Sequence, residues 1–238
     1  MVESEICLRN TGSAMLVHPD YRGRVSEDWF RPEFWGDRAR PVSSGGRGAA
    51  WFVEAGDRRL VLRKYRRGGM MAKLARQTYL FSGESEVRSF AEFRLLHRLE
   101  AMALPVPRPV AAWYRKPSPF QYQAAILIER LQGVVPLADH IAETPPEGWE
   151  KLGATIRQFH DAGVMHADLN CYNVLVRDDQ YFLIDFDKSR LMGHGSSASW
   201  QQANLDRFAR SLVKVAGEET RRRVWDSFMN GYNKGKAS

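Results

Sequence analysis

His166-Ala167-Asp168-Leu169-Asn170-Cys171-Tyr172-Asn173, followed by Asp185-Phe186-Asp187, is the stretch on which the reading of this chain turns. Asn173 comes five positions after Asp168, and Asp185 comes 17 positions after it. Phosphoryl transfer from a nucleotide needs a carboxylate to accept or orient the proton of the acceptor hydroxyl. It also needs oxygen ligands that hold Mg²⁺ against the phosphates. A loop Asp, an Asn shortly after it and a second Asp at the end of the next strand supply that set. His166 reads as a residue that orders the loop and not as a catalyst. Asp187 is either a second acid near the metal or a helix cap.

Working outward from the loop, Trp149, Leu152, Ile156 and Phe159 recur at helical spacing and predict a helix over 149–162. Residues 173–176 and 181–184 predict two short strands around the turn Asp178-Asp179. Residues 200–230 read as helix in two pieces broken near Gly217. In the first half, Ala50–Glu54 and Leu60–Tyr65 form a predicted hairpin around Ala55-Gly56-Asp57. Phe90, Phe93, Leu96 and Leu99 mark an amphipathic helix over 86–102, ended by Pro105-Val106-Pro107. Residues 110–114 and 123–129 are two further strands. Residues 1–40, with Trp29, Phe30, Phe34 and Trp35 among polar neighbours, read as a short helical or irregular start. Strands and one helix come first and helices dominate later. The order predicts an α+β chain of two lobes, 1–130 and 131–238, connected near Leu131–Pro136.

The nucleotide-binding complement is expected in the first lobe. Gly45, Gly46 and Gly48 lie between two strands, where bare backbone N–H groups can approach phosphates. Strand alternation puts Val61 and Arg63 on one face, so with Val61 against the base Arg63 reaches the phosphates. Lys64 is the rival and requires a register slip of one residue. Glu92, between Phe90 and Phe93, is the candidate partner for that base, with Glu84 and Glu86 as less central alternatives. Glu129, at the end of the strand before the connection, completes the set of nucleotide-contacting candidates.

The chain has 238 residues and a formal net charge of +7. Eight basic residues and no acidic one fall between Arg58 and Arg76, and the rest of the chain holds 27 basic against 28 acidic residues. One segment makes the protein basic, which favours an anionic partner unless it is only a solvated loop. No apolar run exceeds five residues, so no membrane-spanning helix is expected. The start MVESEICLRN has no basic n-region and no apolar h-region, and the expected compartment is cytoplasmic. Cys7 and Cys171 lie far apart, which excludes a disulfide framework or a zinc motif built on cysteine.

The order His-x-Asp-x₄-Asn and then Asp-Phe is that of the protein-kinase signature. More specifically, the chain resembles the bacterial lipopolysaccharide kinases. The resemblance rests on Gly46-Arg47-Gly48 with Trp51-Phe52-Val53, on Leu62 to Gly69, on Arg88 to Leu96 and on Pro105-Val106-Pro107-Arg108-Pro109. It also includes Asp168-Leu169-Asn170 with Asn173, and Leu183 to Lys188. It spans about residues 42 to 190. It implies a bilobal protein-kinase-like fold, with a small N-terminal antiparallel sheet lobe carrying one helix and a mainly helical C-terminal lobe. It further implies ATP and Mg²⁺ as cofactors, and phosphorylation of a 3-deoxy-D-manno-octulosonic acid (Kdo) hydroxyl on a lipid A precursor at the cytoplasmic face of the inner membrane. By position it makes Asp168 the base, Asn173 and Asp185 the metal ligands, and Glu92 the helix partner of the phosphate-binding base.

The departures are informative. Asn170 stands where serine/threonine kinases carry a loop Lys, Asp187 replaces the Gly of Asp-Phe-Gly, and no Ala-Pro-Glu follows within 188–200. A protein substrate is disfavoured and a small hydroxylated acceptor is expected. Met70, Met71, Leu74, Tyr79, Leu80 and Phe81 are interleaved with Lys73 and Arg76, which suits peripheral contact with an anionic membrane carrying a lipid-linked sugar acceptor, with no nucleic-acid partner. The competing readings are another small-molecule kinase of heptose, aminoglycoside or choline type, and a silent binding module. Intact Asp168, Asn173 and Asp185 argue against the silent module.

Overall fold

A computed structural model describes residues 5–42, 50–65, 78–193 and 199–234. In chain order the elements are β1 (Ile6–Asn10), β2 (Ser13–Val17), α1 (Pro32–Trp35), β3 (Ala39–Pro41), β4 (Ala50–Ala55), β5 (Arg58–Lys64), β6 (Tyr79–Leu80) and α2 (Arg88–Ala101). They continue with β7 (Pro109–Ser118), β8 (Gln121–Glu129), β9 (Val135–Pro136), α3 (Pro146–Asp161), β10 (Val164–Met165), β11 (Val174–Arg177), β12 (Gln180–Leu183), β13 (Arg190–Leu191) and α4 (Ser199–Lys234). Contacts divide the chain into two compact units, Met1–Ala101 with Pro107–Arg130, and Met102–Val106 with Leu131–Ser238. The division falls after Arg130, and residues 102–106 group with the second unit.

The first unit is built on an antiparallel sheet of order β1-β2-β7-β8-β5-β4-β3, with β6 added to β8. In β5 the apolar residues alternate: Leu60 and Leu62 are buried in one core, with Tyr21, Phe30, Trp35, Val53 and Leu127 around them. Arg63 points to the opposite face, where α2 packs on β7 and β8. Phe90, Phe93, Leu96 and Leu99 are the buried stripe of α2. The reading of residues 1–40 as a short helical or irregular start is corrected here, because β1 and β2 form a hairpin that joins the sheet through β7. Ala14 to Val17 are buried in succession with no period-two alternation. Pairing with β7 decides their conformation, and the sequence carries no local strand signal there.

The second unit packs α3 against α4. Helix α4 is broken at Gly217 (φ 84°, ψ 165°), a conformation that suits glycine. The hairpin β11–β12 turns at Asp178 and Asp179, both at positive φ (46° and 60°) as a type I′ turn requires. Among the described residues no helix is long and apolar enough to cross a membrane.

Candidate active site

In the second unit the loop from His166 to Asn173 is fixed by a closed set of hydrogen bonds. The backbone N–H and C=O of His166 both bond the Asn204 side chain of α4, at 3.1 and 2.9 Å. The His166 ring bridges the loop, with Nε2 bonded to Ile184 O at 3.0 Å and Nδ1 accepting the Asp168 N–H at 3.1 Å. That pattern fixes the tautomer with the proton on Nε2. Burial lowers the pKa of the ring, so it stays neutral, and its position within the fold is that of a loop organiser. Phe186 is buried behind it, with ring centroids 4.8 Å apart.

Asp168 presents its carboxylate at an exposed position, and three side chains converge on it. Asn170 Nδ2 donates to Oδ2 at 3.0 Å, Asn173 Nδ2 donates to the Asp168 carbonyl at 2.9 Å, and Arg207 Nη1 of α4 lies 3.6 Å from Oδ1. Asn170 also accepts the N–H groups of Tyr172 and Asn173 through Oδ1, at 2.9 and 3.1 Å. The residue that stands in place of the loop Lys is thus a loop brace. A cation still stands beside Asp168, supplied by Arg207. Neither Arg207 nor Asn204 is apparent in the sequence, because helix α4 is distant in the chain and carries no motif.

Asn173 and Asp185 are brought together by the hairpin. Ile184 donates its N–H to Asn173 O at 3.0 Å, directly after the Val174–Leu183 pair, so Asp185 emerges next to Asn173 at the open end of β11–β12. Asp185 sits at φ 63°, a left-handed conformation costly for a non-glycine residue and often found where a side chain is aimed for function. Asn173 directs its amide nitrogen inward, which leaves its oxygen for a cation. An amide oxygen and a carboxylate are the hard donors Mg²⁺ takes, so the residues fit that ion. Asp187 lies in a turn where Ser189 N bonds Phe186 O at 2.9 Å, and the next helix begins only at Ser199. It is not a helix cap. Cys171 is buried with its thiol pushed up to about 11, which removes it as a nucleophile.

In the first unit Arg63 forms an ion pair with Glu92, and Tyr65 donates its hydroxyl to the same carboxylate oxygen. Glu92 is 4% exposed, and burial beside it drives the Tyr65 pKa up, so the phenol remains a donor. Val61 lies on the Arg63 side of β5, opposite Phe52 and Ile128 in its two neighbours. Lys64 points the other way and places Nζ 5.5 Å from the Trp51 ring. Glu84 bonds Arg9 and Tyr114, and Glu129 accepts from Tyr21 Oη at 2.7 Å with Arg58 at 3.4 Å. Gly45, Gly46 and Gly48 lie outside the described residues, as do Arg66, Arg67, Lys73 and Arg76.

The family described as lipopolysaccharide kinase (Kdo/WaaP) matches residues 32–232. The chain belongs to this family. It is 50% identical over 214 residues to the 3-deoxy-D-manno-octulosonic acid kinase of Xanthomonas campestris pv. campestris (strain B100), covering 89% of this chain and 84% of that one. It is 43% identical over 217 residues to the enzyme of the same name from Stenotrophomonas maltophilia (strain R551-3), covering 90% and 86%. Among solved structures it is similar to WaaP in complex with acyl carrier protein, with TM-score 0.59, 18% identity and coverage of 92% and 88%. It is also similar to a glucosamine kinase, with TM-score 0.52, 14% identity and coverage of 98% and 82%. At these identities the structures establish a kinase-like α+β fold. As a member of the Kdo/WaaP family the chain is a kinase, a phosphotransferase with a hydroxyl acceptor.

Proposed function

We propose that this Kdo/WaaP family member transfers the γ-phosphoryl group of ATP to a hydroxyl of Kdo on a lipid A precursor, in assembly of the lipopolysaccharide core. The observation that carries the chemistry is the convergence of Asn170, Asn173 and Arg207 on Asp168, with Asp185 beside Asn173. The acceptor is carried by the identity of 43 to 50% to enzymes named for Kdo phosphorylation.

In this reading Asp168 accepts the proton of the attacking hydroxyl, the acceptor oxygen bonds to the γ-phosphorus, and the bond from that phosphorus to the ADP oxygen breaks. Asn170 and Asn173 hold the loop so that the carboxylate is already aimed, and Arg207 puts a positive charge beside it. Asn173 and Asp185 hold Mg²⁺, which when bound draws charge from the phosphate oxygens. Arg63, oriented by Glu92 and Tyr65, is the cation for the nucleotide phosphates, and Val61 lies against the base.

We place the enzyme at the cytoplasmic face of the inner membrane as a peripheral protein. Leu80 and Phe120 are 72% and 75% exposed near the turn joining β7 and β8, and Lys116 Nζ lies 4.6 Å from the Phe81 ring. Exposed apolar side chains interleaved with cations suit an anionic interface. The basic run from Arg66 to Arg76 precedes them in sequence. The test is incubation with ATP, Mg²⁺ and Kdo-bearing lipid A precursor, followed by mass measurement of the lipid. A lipid one phosphate heavier is expected. Phosphate on a heptose-bearing acceptor, with the Kdo lipid unchanged, would move the assignment to another sugar.

A further inference from the structure

Apart from the kinase residues, the first unit brings two histidines and a carboxylate together at the end of α2. His97 and Glu100 are three residues apart, so they share one face of the last helical turn, and His18 follows β2 and faces them. His18 Nε2 lies 3.3 Å from Glu100 Oε2, and His97 Nδ1 lies 3.9 Å from the same oxygen. One ligand atom from each residue lies within 4.8 Å of the other two. His18 and His97 are buried and their rings meet nearly at right angles, 84° between planes. Glu100 Oε2 is buried and makes no hydrogen bond among the described residues, although His18 Nε2 is within reach of it. Its other oxygen is taken by Arg108 Nε at 2.6 Å, so only Oε2 is available.

We propose that His18, His97 and Glu100 form a binding site for a borderline divalent cation of the zinc type, fastening the end of α2 to the strand sheet. Ligand atoms about 2.0 to 2.1 Å from a tetrahedral ion lie about 3.3 Å from one another. The observed spacings reach that with shifts on the order of an ångström in side chains alone. Two imidazoles and one carboxylate suit Zn²⁺ and exclude Mg²⁺, which takes oxygen ligands. Water fills the fourth position through the partly exposed Glu100 edge.

Arg108 is paired with both Glu100 and Asp20, the latter at 2.9 Å, so the surrounding charge is one guanidinium against two carboxylates. In the metal-free ring His18 Nδ1 accepts the Asp20 N–H at 3.2 Å, which puts the ring proton on Nε2. When a cation takes Nε2 the proton moves to Nδ1, which gives up the Asp20 N–H and takes as its acceptor the Asp20 carboxylate, 3.9 Å away. A metal-bound imidazole backed by a carboxylate is the usual outer arrangement of such sites.

The test uses untagged, chelator-treated full-length protein in Mg²⁺ buffer, which keeps the oxygen site filled, titrated with ZnCl₂ by calorimetry. One equivalent is expected to bind and to raise the melting temperature. His97→Gln and Glu100→Gln should each weaken binding by about tenfold or more, whereas Asp185→Asn leaves it unchanged. Where a variant fails to fold, Co²⁺ in the unmodified protein decides, through the strong visible absorption of a four-coordinate ion. Absence of saturable binding overturns the proposal. So does loss in Asp185→Asn without loss in the two cluster variants, or a weak six-coordinate Co²⁺ spectrum.

Discussion

Arg63 and Lys64 are adjacent in the chain and lie on opposite faces of β5, and that difference separates their chemistry. Arg63 is locked to Glu92, and Lys64 lies beside Trp51. Arg63→Ala is expected to cost far more activity than Lys64→Ala. It should also lower the melting temperature, since a buried Glu92 would keep only Tyr65 of these two partners. Steady-state rates with ATP varied check the order, and a greater loss in Lys64→Ala would mean that the phosphates are met from the other face. For the acids, Asp168→Ala is expected to abolish turnover with nucleotide affinity nearly intact, because in the proposed mechanism it acts on the acceptor hydroxyl. Asp185→Ala should weaken Mg·ATP binding as well, and calorimetric titration of ATP with and without Mg²⁺ separates the two. The grouping of these residues is readable because spacing carries it: Asp168, Asn173 and Asp185 follow a fixed pattern, and Glu92 stands between two buried aromatics. Arg207 and Asn204 were not readable, since each reaches the loop through the tertiary packing of an exposed-looking helix. Nor was the engagement of Glu129 with Tyr21, 108 positions away.

At the scale of elements, α3 and α4 meet at two glycines that no periodicity marks. A Cβ on Gly153 would lie 2.0 Å from Phe228 O, and one on Gly231 would lie 1.8 Å from Glu150 O, so backbone would have to move. Gly153→Ala and Gly231→Ala are therefore each expected to destabilise the second unit by about 1 to 3 kcal/mol or more, read as a fall in urea midpoint at unchanged slope. The same interface buries His160, whose Nδ1 lies 2.7 Å from Tyr232 Oη, with its pKa lowered by burial from 6.5 to about 4. The unfolded chain takes up a proton on this ring below pH 6.5, and the folded chain does not until about pH 4. In that window the unfolded state binds more protons, so stability falls as pH is lowered, by about 3 kcal/mol in all, and is insensitive to this group above it. Urea midpoints for the protein and for His160→Gln across that range check the sign: the variant's profile should be flatter. Amphipathic α2 and α3 and the β11–β12 hairpin were readable from their periodicity and turn residues. The hairpin β1–β2 was not, because consecutive buried Ala14, Met15, Leu16 and Val17 fit a helix as well as a strand until β7 pairs with them.

For the molecule as a whole the question is how a protein with no membrane-spanning helix among its described residues reaches a lipid-linked acceptor. The net charge of +7 is concentrated in the eight basic residues from Arg58 to Arg76, and the exposed Leu80 and Phe120 follow in the same unit. Each near-surface Lys or Arg contributes about 1 kcal/mol toward an anionic bilayer, so three or four engaged would retain the enzyme on its substrate surface. The protein is expected to sediment with vesicles containing anionic lipid and to be released by salt, because the Debye length falls from about 10 Å at 0.1 M to about 3 Å at 1 M. Replacing Arg66, Arg67, Lys73 and Arg76 with Gln should reduce sedimentation and activity on the lipid-linked acceptor together. The same variant should keep its ATP affinity, since the four substitutions leave Arg63, Glu92, Asn173 and Asp185 unchanged. Replacing Leu80 and Phe120 with Ser should remove the part of binding that survives high salt, because burial of apolar surface is not screened. Unchanged sedimentation of the four-Gln variant would mean that the basic run is a solvated loop and that the lipid is met through another surface.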